Sequence, residues 1–286
     1  VRIDLHAHST ASDGADTPSQ LVRRAREAGL DVLALTDHDT VSGLAEATAV
    51  ARETGITLVP GAEISCSWRG ISIHMLAYLF DPGHAEFARE RDLLRDDRTR
   101  RGRAIVERCR ELGAPITWER VREIAGDGAV GRPHIARALV EAGVVATIQD
   151  AFSPDWIADN GRAYVEKYTL EPTRAIELIR AAGGVAVFAH PGARKRGRVV
   201  GPEVIAELAA AGMAGIEVDH PDHDEDTREE LRGLAKELGL LVTGSSDYHG
   251  SVKPNRLGEN TTDPAVYEEI VARATGTGPV IPTCST

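Results

Sequence analysis

Seven short apolar segments recur along the chain, at Ile3–Leu5, Val32–Thr36, Thr57–Pro60, Ile71–Leu79, Val185–Ala189, Gly215–Val218 and Leu240–Thr243. Their length and their Gly, Pro and Asp flanks predict strands. Many are followed by stretches with apolar positions at helical spacing. Helix starts are signposted: Thr17-Pro18-Ser19-Gln20 offers an N-cap threonine, a proline at N1 and a glutamine at N3, and Pro172 and Pro202 sit where further helices should begin. Strand followed by helix, repeated, predicts a mainly parallel sheet that is closed or nearly closed. Cys66-Ser67-Trp68-Arg69-Gly70-Ile71 breaks the rule and reads as a tight hairpin. From about residue 85 to 165 the rhythm changes to an arginine-rich helical run, helical segments at Thr117–Ala125 and Pro133–Glu141, and an irregular piece through Asp155-Trp156. The expected architecture is one α/β barrel domain over 1–286, interrupted by this helical insertion.

Composition narrows the picture. A chain of 286 residues with 42% hydrophobic and 27% charged residues can bury a large core, which excludes a disordered protein. Its net charge of −11 argues against a broad basic surface for nucleic acid or anionic membrane. An anionic substrate must then be drawn in locally, by metal ions or clustered arginines. Cys66, Cys109 and Cys284 have no CxxC spacing and suit reduced thiols in a reducing compartment. No apolar run reaches the roughly 18 residues of a membrane span, and Val1-Arg2-Ile3-Asp4 lacks the features of a signal peptide. These traits predict a cytoplasmic protein with no membrane association and no obligate protein partner.

The candidate chemistry lies at the strand ends. In Ile3-Asp4-Leu5-His6-Ala7-His8, strand alternation turns His6 and His8 to one face, and the loop beyond supplies Asp13. Such a histidine pair is common by chance; its weight comes from the other strands. Val32–Thr36 runs into Asp37-His38-Asp39, the third segment into Glu63, and the fourth carries His74. Val185–Ala189 ends in His190-Pro191-Gly192, and the last segment runs into Asp247-Tyr248-His249. Barrel active sites are assembled at the C-terminal ends of strands from such scattered positions. Imidazoles and carboxylates without thiolate form a ligand mix for Mn, Zn or Fe. Nine ligands exceed the needs of one ion, so two or three divalent ions are expected, with Glu63 bridging. Such a cluster lowers the pKa of a shared water and aims the resulting hydroxide at phosphorus, which leaves no protein side chain needed as nucleophile.

Together, His6-Ala7-His8, Thr36-Asp37-His38-Asp39, His190-Pro191 and Asp247-Tyr248-His249 resemble the motifs of the PHP (polymerase and histidinol phosphatase) superfamily. The resemblance covers nearly the whole chain. It implies a distorted (β/α)7 barrel with a trinuclear metal site, manganese being the expected ion, and hydrolysis of phosphate esters. It also implies that His6, His8, Glu63, His74, His190 and Asp247 surround a close pair of ions while Asp13, His38 and His249 complete a third position. Gly131-Arg132-Pro133-His134, Gly183-Gly184-Val185-Ala186 and Gly215-Ile216-Glu217-Val218 are similar to the branch of small bacterial phosphoesterases that take the 3′-phosphate from nucleoside 3′,5′-bisphosphates or degrade short oligonucleotides 5′→3′. The basic run Arg194-Lys195-Arg196-Gly197-Arg198 has no counterpart in that pattern.

Arg91, Arg95 and Arg98 recur at helical spacing and read as a solvated helix face. Arg98 and Arg101, with Arg132 and His134, are candidates to hold a phosphate that is not cleaved, since arginine grips phosphate bidentately. Asp13 and His38 are expected to touch substrate as well as metal. His220 is a candidate proton donor to the leaving group. The residues leave open histidinol-phosphate phosphatase or cyclic phosphodiesterase activity, and, in another class, a non-catalytic metal-binding regulatory module. All nine positions carry competent side chains, which favours an enzyme.

Overall fold

A computed structural model describes residues 1–126 and 130–283, so Cys284 lies outside the described residues. The chain divides into two compact units: Val1–Arg91 with Thr169–Thr286, and Asp92–Tyr168. The first unit contains β1 (Ile3–Asp4), α1 (Pro18–Glu27), β2 (Val32–Leu35), α2 (Leu44–Thr54), β3 (Thr57–Trp68) and β4 (Ile71–Tyr78). After α3 (Ala85–Glu111), α4 (Trp118–Ala125), α5 (Arg132–Glu141) and α6 (Ile148–Ala151), it resumes with α7 (Pro172–Ala181), β5 (Val185–Ala189), α8 (Pro202–Ala210), β6 (Gly215–Asp219), α9 (Glu225–Leu238), β7 (Leu241–Gly244) and α10 (Pro264–Arg273).

All seven expected strands are present, and they pair in chain order from β1 to β7. The β3–β4 and β4–β5 pairings are antiparallel and the others parallel. A parallel bridge between Ala7 and Tyr248, and a 2.9 Å hydrogen bond from Thr262 N to Ile3 O, tie the first strand region to the last. The result is a nearly closed seven-stranded barrel. Its strands are buried on both faces, as a parallel sheet covered by helices requires. In β2, Leu33 and Leu35 face a layer with Leu21, Val22 and Val50 of α1 and α2, while Val32 and Ala34 join Ile3, Leu5, Leu76 and Val187 on the other side.

The local signals act as their chemistry dictates. Thr17 accepts from Gln20 N at 3.2 Å and Gln20 Oε1 accepts from Thr17 N at 2.9 Å, closing the capping box of α1. Pro172 and Pro202 open α7 and α8. The hairpin after Trp68 turns on Arg69 (φ 47°) and Gly70 (φ 78°), the doubly left-handed pair that matches the twist of antiparallel strands.

β3 is longer than the apolar run suggested. It pairs with β2 as far as Pro60 and with β4 from Gly61 to Trp68. The apolar segment Thr57–Pro60 predicts a strand end before Glu63, whereas the strand continues through Glu63, Ser65 and Ser67. They are the alternate positions of a continuing strand, so Glu63 lies within β3 and not beyond its end. Gly61 marks the change of partner, where a Cβ would lie 3.0 Å from Ala77 O and 3.1 Å from Thr36 Cγ2.

The second unit has its own core, formed by Ile105, Val106, Cys109, Val121, Ile135 and Leu139 with their neighbours. Cys66 and Cys109 are buried free thiols. Arg91 departs from the expected solvated face. It is 5% exposed, donates to Pro82 O at 2.7 Å, and lays its guanidinium 5.0 and 5.1 Å from the ring centres of Phe80 and Phe87. The planar cation is held there by the aromatic faces. Among the described residues no helix is long and apolar enough to cross a membrane.

Candidate metal centre

Strand register assembles the site. The Ala7–Tyr248 bridge sets His6 and His8 beside Asp247 and His249, and a second bridge pairs His38 with Glu63. In the antiparallel ladders His74 faces Ser65 on one side and Ala189 on the other, which brings His190 next to it. His190 (φ 34°) and Asp247 (φ 49°) hold left-handed backbone conformations, as does Asp39 (φ 56°). Non-glycine residues rarely adopt these, at a cost of about 1–3 kcal/mol each, and do so where surrounding structure imposes a functional geometry. At Asp39 the carboxylate accepts from Ser65 N (2.7 Å) and Oγ (2.8 Å), which holds the turn.

The structure brings all nine candidate side chains together. His6 Nε2 and His8 Nε2 lie 3.0 Å apart. Glu63 Oε2 is 3.2 and 3.1 Å from these nitrogens, and Asp247 Oδ1 is 3.4 and 3.3 Å from them. Glu63 is the hub: Oε2 also faces His38 Nδ1 at 3.2 Å, while Oε1 faces His74 Nδ1 at 2.7 Å and His190 Nε2 at 3.0 Å. Asp13 gathers the remainder, with His249 Nε2 at 3.3 Å, His8 Nδ1 at 3.6 Å and His38 Nε2 at 3.7 Å. Three convergent groups result: His8, Asp13, His38 and His249; His6, His8 and Asp247; and His38, Glu63 and His74.

This donor set fits divalent cations. Bonds of ~2.1 Å place neighbouring ligand atoms about 3.0 Å apart in an octahedron and about 3.4 Å apart in a tetrahedron, which are the separations around His6 and His8. His249 Nδ1 lies 2.9 Å from Asp247 O, and among the described residues its buried Nε2 has no hydrogen-bond partner, as suits a lone pair directed at an ion. Electrostatics agree. Burial opposes the charge of Glu63, but His38, His74 and His6 outweigh it and hold the carboxyl well below its usual range. Asp13 and Asp247 are likewise held down despite burial, the former by His38 and His249, the latter by Lys253 and Arg196. His190 is pushed down to about 3, first by burial and then by Arg196, so its imidazole is neutral.

Several residues outside the nine support the cluster. Glu217, fully buried in β6, sets Oε1 3.0 Å from His6 Nδ1, accepts from His190 N at 2.8 Å and accepts from Ser245 Oγ. Burial opposes its charge, yet His6 keeps it ionised. The only sign in the sequence was a lone carboxylate in the apolar run Gly215-Ile216-Glu217-Val218. Asp4 accepts from Ser246 N at 3.0 Å and Gly258 N at 2.9 Å, pinning the loop that carries Asp247. Asp37 takes the same part for the Asp13 loop through Ser9 N (2.8 Å) and Ser12 Oγ (2.6 Å). His220 is buried; its Nδ1 accepts from Asp222 N at 3.0 Å, which leaves the proton on Nε2, 3.4 Å from Asp247 Oδ2. That proton faces Asp247, so His220 orients this carboxylate. His223 links two loops by bonding Val218 O (2.8 Å) and Gly192 N (3.0 Å).

The residues expected to grip a second phosphate lie in the other unit. There Arg101 donates to Val165 O at 2.6 Å, and burial, then Arg132, push its guanidinium down to about 10. Arg132 binds Ile157 O at 3.2 Å and Asp159 at 2.7 Å, and His134 Nδ1 accepts from Gly131 N at 3.0 Å at the start of α5. Arg98 also has an interaction partner. These side chains therefore have structural partners that spacing alone did not show.

Comparison with known proteins agrees with this construction. The PHP domain model matches residues 4–114. Over 262 residues the chain is 37% identical to a 5′-3′ exoribonuclease of Haemophilus influenzae, covering 91% of this chain and 94% of that one. It is 35% identical over 274 residues to a 3′,5′-nucleoside bisphosphate phosphatase of Chromobacterium violaceum, covering 92% of each. A crystal structure from Bifidobacterium adolescentis, provisionally described as a metal-dependent phosphoesterase, superposes with a TM-score of 0.89 at 39% identity, covering 96% of both chains. The fold, the cluster and these relatives define a metal-dependent phosphoesterase. The chain belongs to the PHP family.

Proposed function

We propose that this enzyme cleaves the O3′–P bond of a 5′-phosphorylated nucleotide, removing the 3′-phosphate from nucleoside 3′,5′-bisphosphates and acting 5′→3′ on short oligoribonucleotides. In this reading His6, His8, Asp13, His38, Glu63, His74, His190, Asp247 and His249 would hold two or three divalent ions, with manganese expected. The observation that carries it is the convergence of six imidazoles on Glu63 and Asp13, with Asp247 beside His6 and His8. The substrate is supported by the relatives. A bisphosphate 3′-phosphatase and a 5′→3′ nuclease that releases 5′-nucleotides break the same ester bond, and differ in what else the phosphorus carries.

When bound, the ions supply Lewis acidity and an acidified water. The chain supplies orientation. Glu63 presents its two oxygens to different sets of imidazoles, so it would help to hold ions through either oxygen. Glu217 fixes the ring of His6 so that Nε2 faces the cluster. Asp13, 22% exposed, is the most open of the nine along with His74. This exposure supports a part for Asp13 in meeting the substrate.

Ion uptake should release protons. In the ion-free protein burial disfavours a charged His8, but Asp247 and Glu63 outweigh it and raise its pKa from 6.5 to about 9. Protonated His8 thus stabilises the ion-free fold below about pH 6.5, and this contribution is lost as pH rises through about 9. Ions need the unprotonated nitrogen, so their affinity should strengthen as pH rises towards 9. Calorimetric titration of manganese at pH 7 in two buffers of different ionisation enthalpy should show net proton release; identical heats in both buffers would contradict it.

The substrate reading is tested by phosphate release from adenosine 3′,5′-bisphosphate, a 3′-monophosphate and histidinol phosphate, and by ring opening of a ribose cyclic phosphate, side by side. The bisphosphate should have the highest kcat/KM. A clear preference for histidinol phosphate or the cyclic ester would replace this substrate while keeping the chemistry.

A further inference from the structure

The basic run Arg194–Arg198 meets the cluster through Arg196. Its Nη2 donates to Asp247 Oδ2 at 2.6 Å and its Nε to Asp222 Oδ2 at 2.6 Å. Lys253 Nζ donates to the same Asp247 oxygen at 3.0 Å. The other oxygen, Oδ1, faces His6, His8 and His249 at 3.3–3.4 Å. The guanidinium and the convergent nitrogens therefore lie on opposite sides of a single carboxylate. Both cations keep an opening to solvent, with side chains 32% and 29% exposed, although Asp247 itself is buried.

We propose that Arg196, assisted by Lys253, binds a non-bridging oxygen of the phosphoryl group that is cleaved. The inference rests on the phosphate-ester reading above and adds a substrate contact to it. Asp222 anchors the guanidinium through Nε, which leaves Nη1 with no partner among the described residues. An arginine held in place with unspent donors is organised for an oxyanion. An ion on Oδ1 would draw electron density from Asp247 and add positive charge beside Arg196 and Lys253, so an anion is favoured at this position. Donors aimed at phosphoryl oxygens gain strength as charge develops there.

The test uses the manganese-loaded protein and inorganic phosphate as probe, with ion content measured on every sample. Arg196→Ala should weaken phosphate binding, followed by calorimetry, by roughly 10- to 150-fold, the loss of one hydrogen bond to a charged group. Its ion content should stay at the wild-type value. Arg196→Lys should recover part of the affinity, and added guanidinium should partly restore kcat in Arg196→Ala. Asp222→Asn, which loosens the anchor but keeps the guanidinium, should weaken phosphate binding by a smaller factor. Equal phosphate affinity in wild type and Arg196→Ala, including no measurable binding in either, would overturn the proposal. So would a loss in Arg196→Ala that vanishes once the ions are resaturated, since Arg196 would then serve only to hold Asp247. Phosphate binding does not depend on which ester is turned over, so a failed substrate assignment leaves this result readable.

Discussion

His8→Ala should remove at least one bound ion and lower kcat by about 10³-fold or more, while the far-ultraviolet circular dichroism stays that of the wild type. The size follows from His8's position. It belongs to two of the three convergent groups, with Nε2 facing Glu63 and Asp247 and Nδ1 facing Asp13. Losing it opens two coordination sites at once, and an ion's stabilisation of transition-state charge is worth several kcal/mol, with each 1.36 kcal/mol a factor of ten in rate. The fold should survive because His8 follows β1 and is not part of the apolar layers around Leu33 and Leu58. Metal analysis and phosphate release on the same sample check both halves. Wild-type turnover in this variant would remove His8 from the site.

Glu217 should produce the second-largest effect, and its two substitutions should separate orientation from stability. Glu217→Gln keeps the shape but removes the charge that holds His6, and should weaken ion affinity by roughly 10- to 100-fold, the usual cost of losing a carboxylate behind a ligating histidine. Glu217→Ala leaves His6 Nδ1, His190 N and Ser245 Oγ without their buried acceptor. Removing one member of such a buried charged network costs about 3–5 kcal/mol, which denaturant unfolding would register. If Glu217→Gln binds manganese as tightly as wild type, Glu217 has no part in setting the metal site.

Much of this was legible in the chain because barrel chemistry is written at strand ends. The runs Val32–Leu35 and Val185–Ala189 announce buried parallel strands, and the polar residues that follow them, His38 and His190, must emerge at one end of the barrel. Thr17-Pro18-Ser19-Gln20 and Arg69-Gly70 likewise encode their own geometry through local hydrogen bonding and left-handed backbone. What was obscure depends on contacts between distant segments. Glu63 seemed to lie beyond a strand because alternation with Ser65 and Ser67 imitates a loop. Glu217, 211 positions from the His6 ring it orients, stands in a segment that carries the family resemblance, yet nothing in that segment gives it a role at the site. Arg196 sits in a charged run whose composition gives no clue that one of its guanidiniums reaches Asp247. Arg91 looked solvated by spacing and is buried by two phenylalanines that only the fold brings to it.

If this barrel hydrolyses phosphate esters by means of ions held among its nine clustered side chains, turnover and ion content must rise and fall together. The measurement that tests it most directly is phosphate release from adenosine 3′,5′-bisphosphate followed through ion removal and readdition, with the ions counted at each stage. Active protein should hold two or three divalent ions per chain, lose turnover on chelation, and recover it as manganese is titrated back to that stoichiometry. Full turnover by protein shown to hold no divalent ion would contradict this dependence.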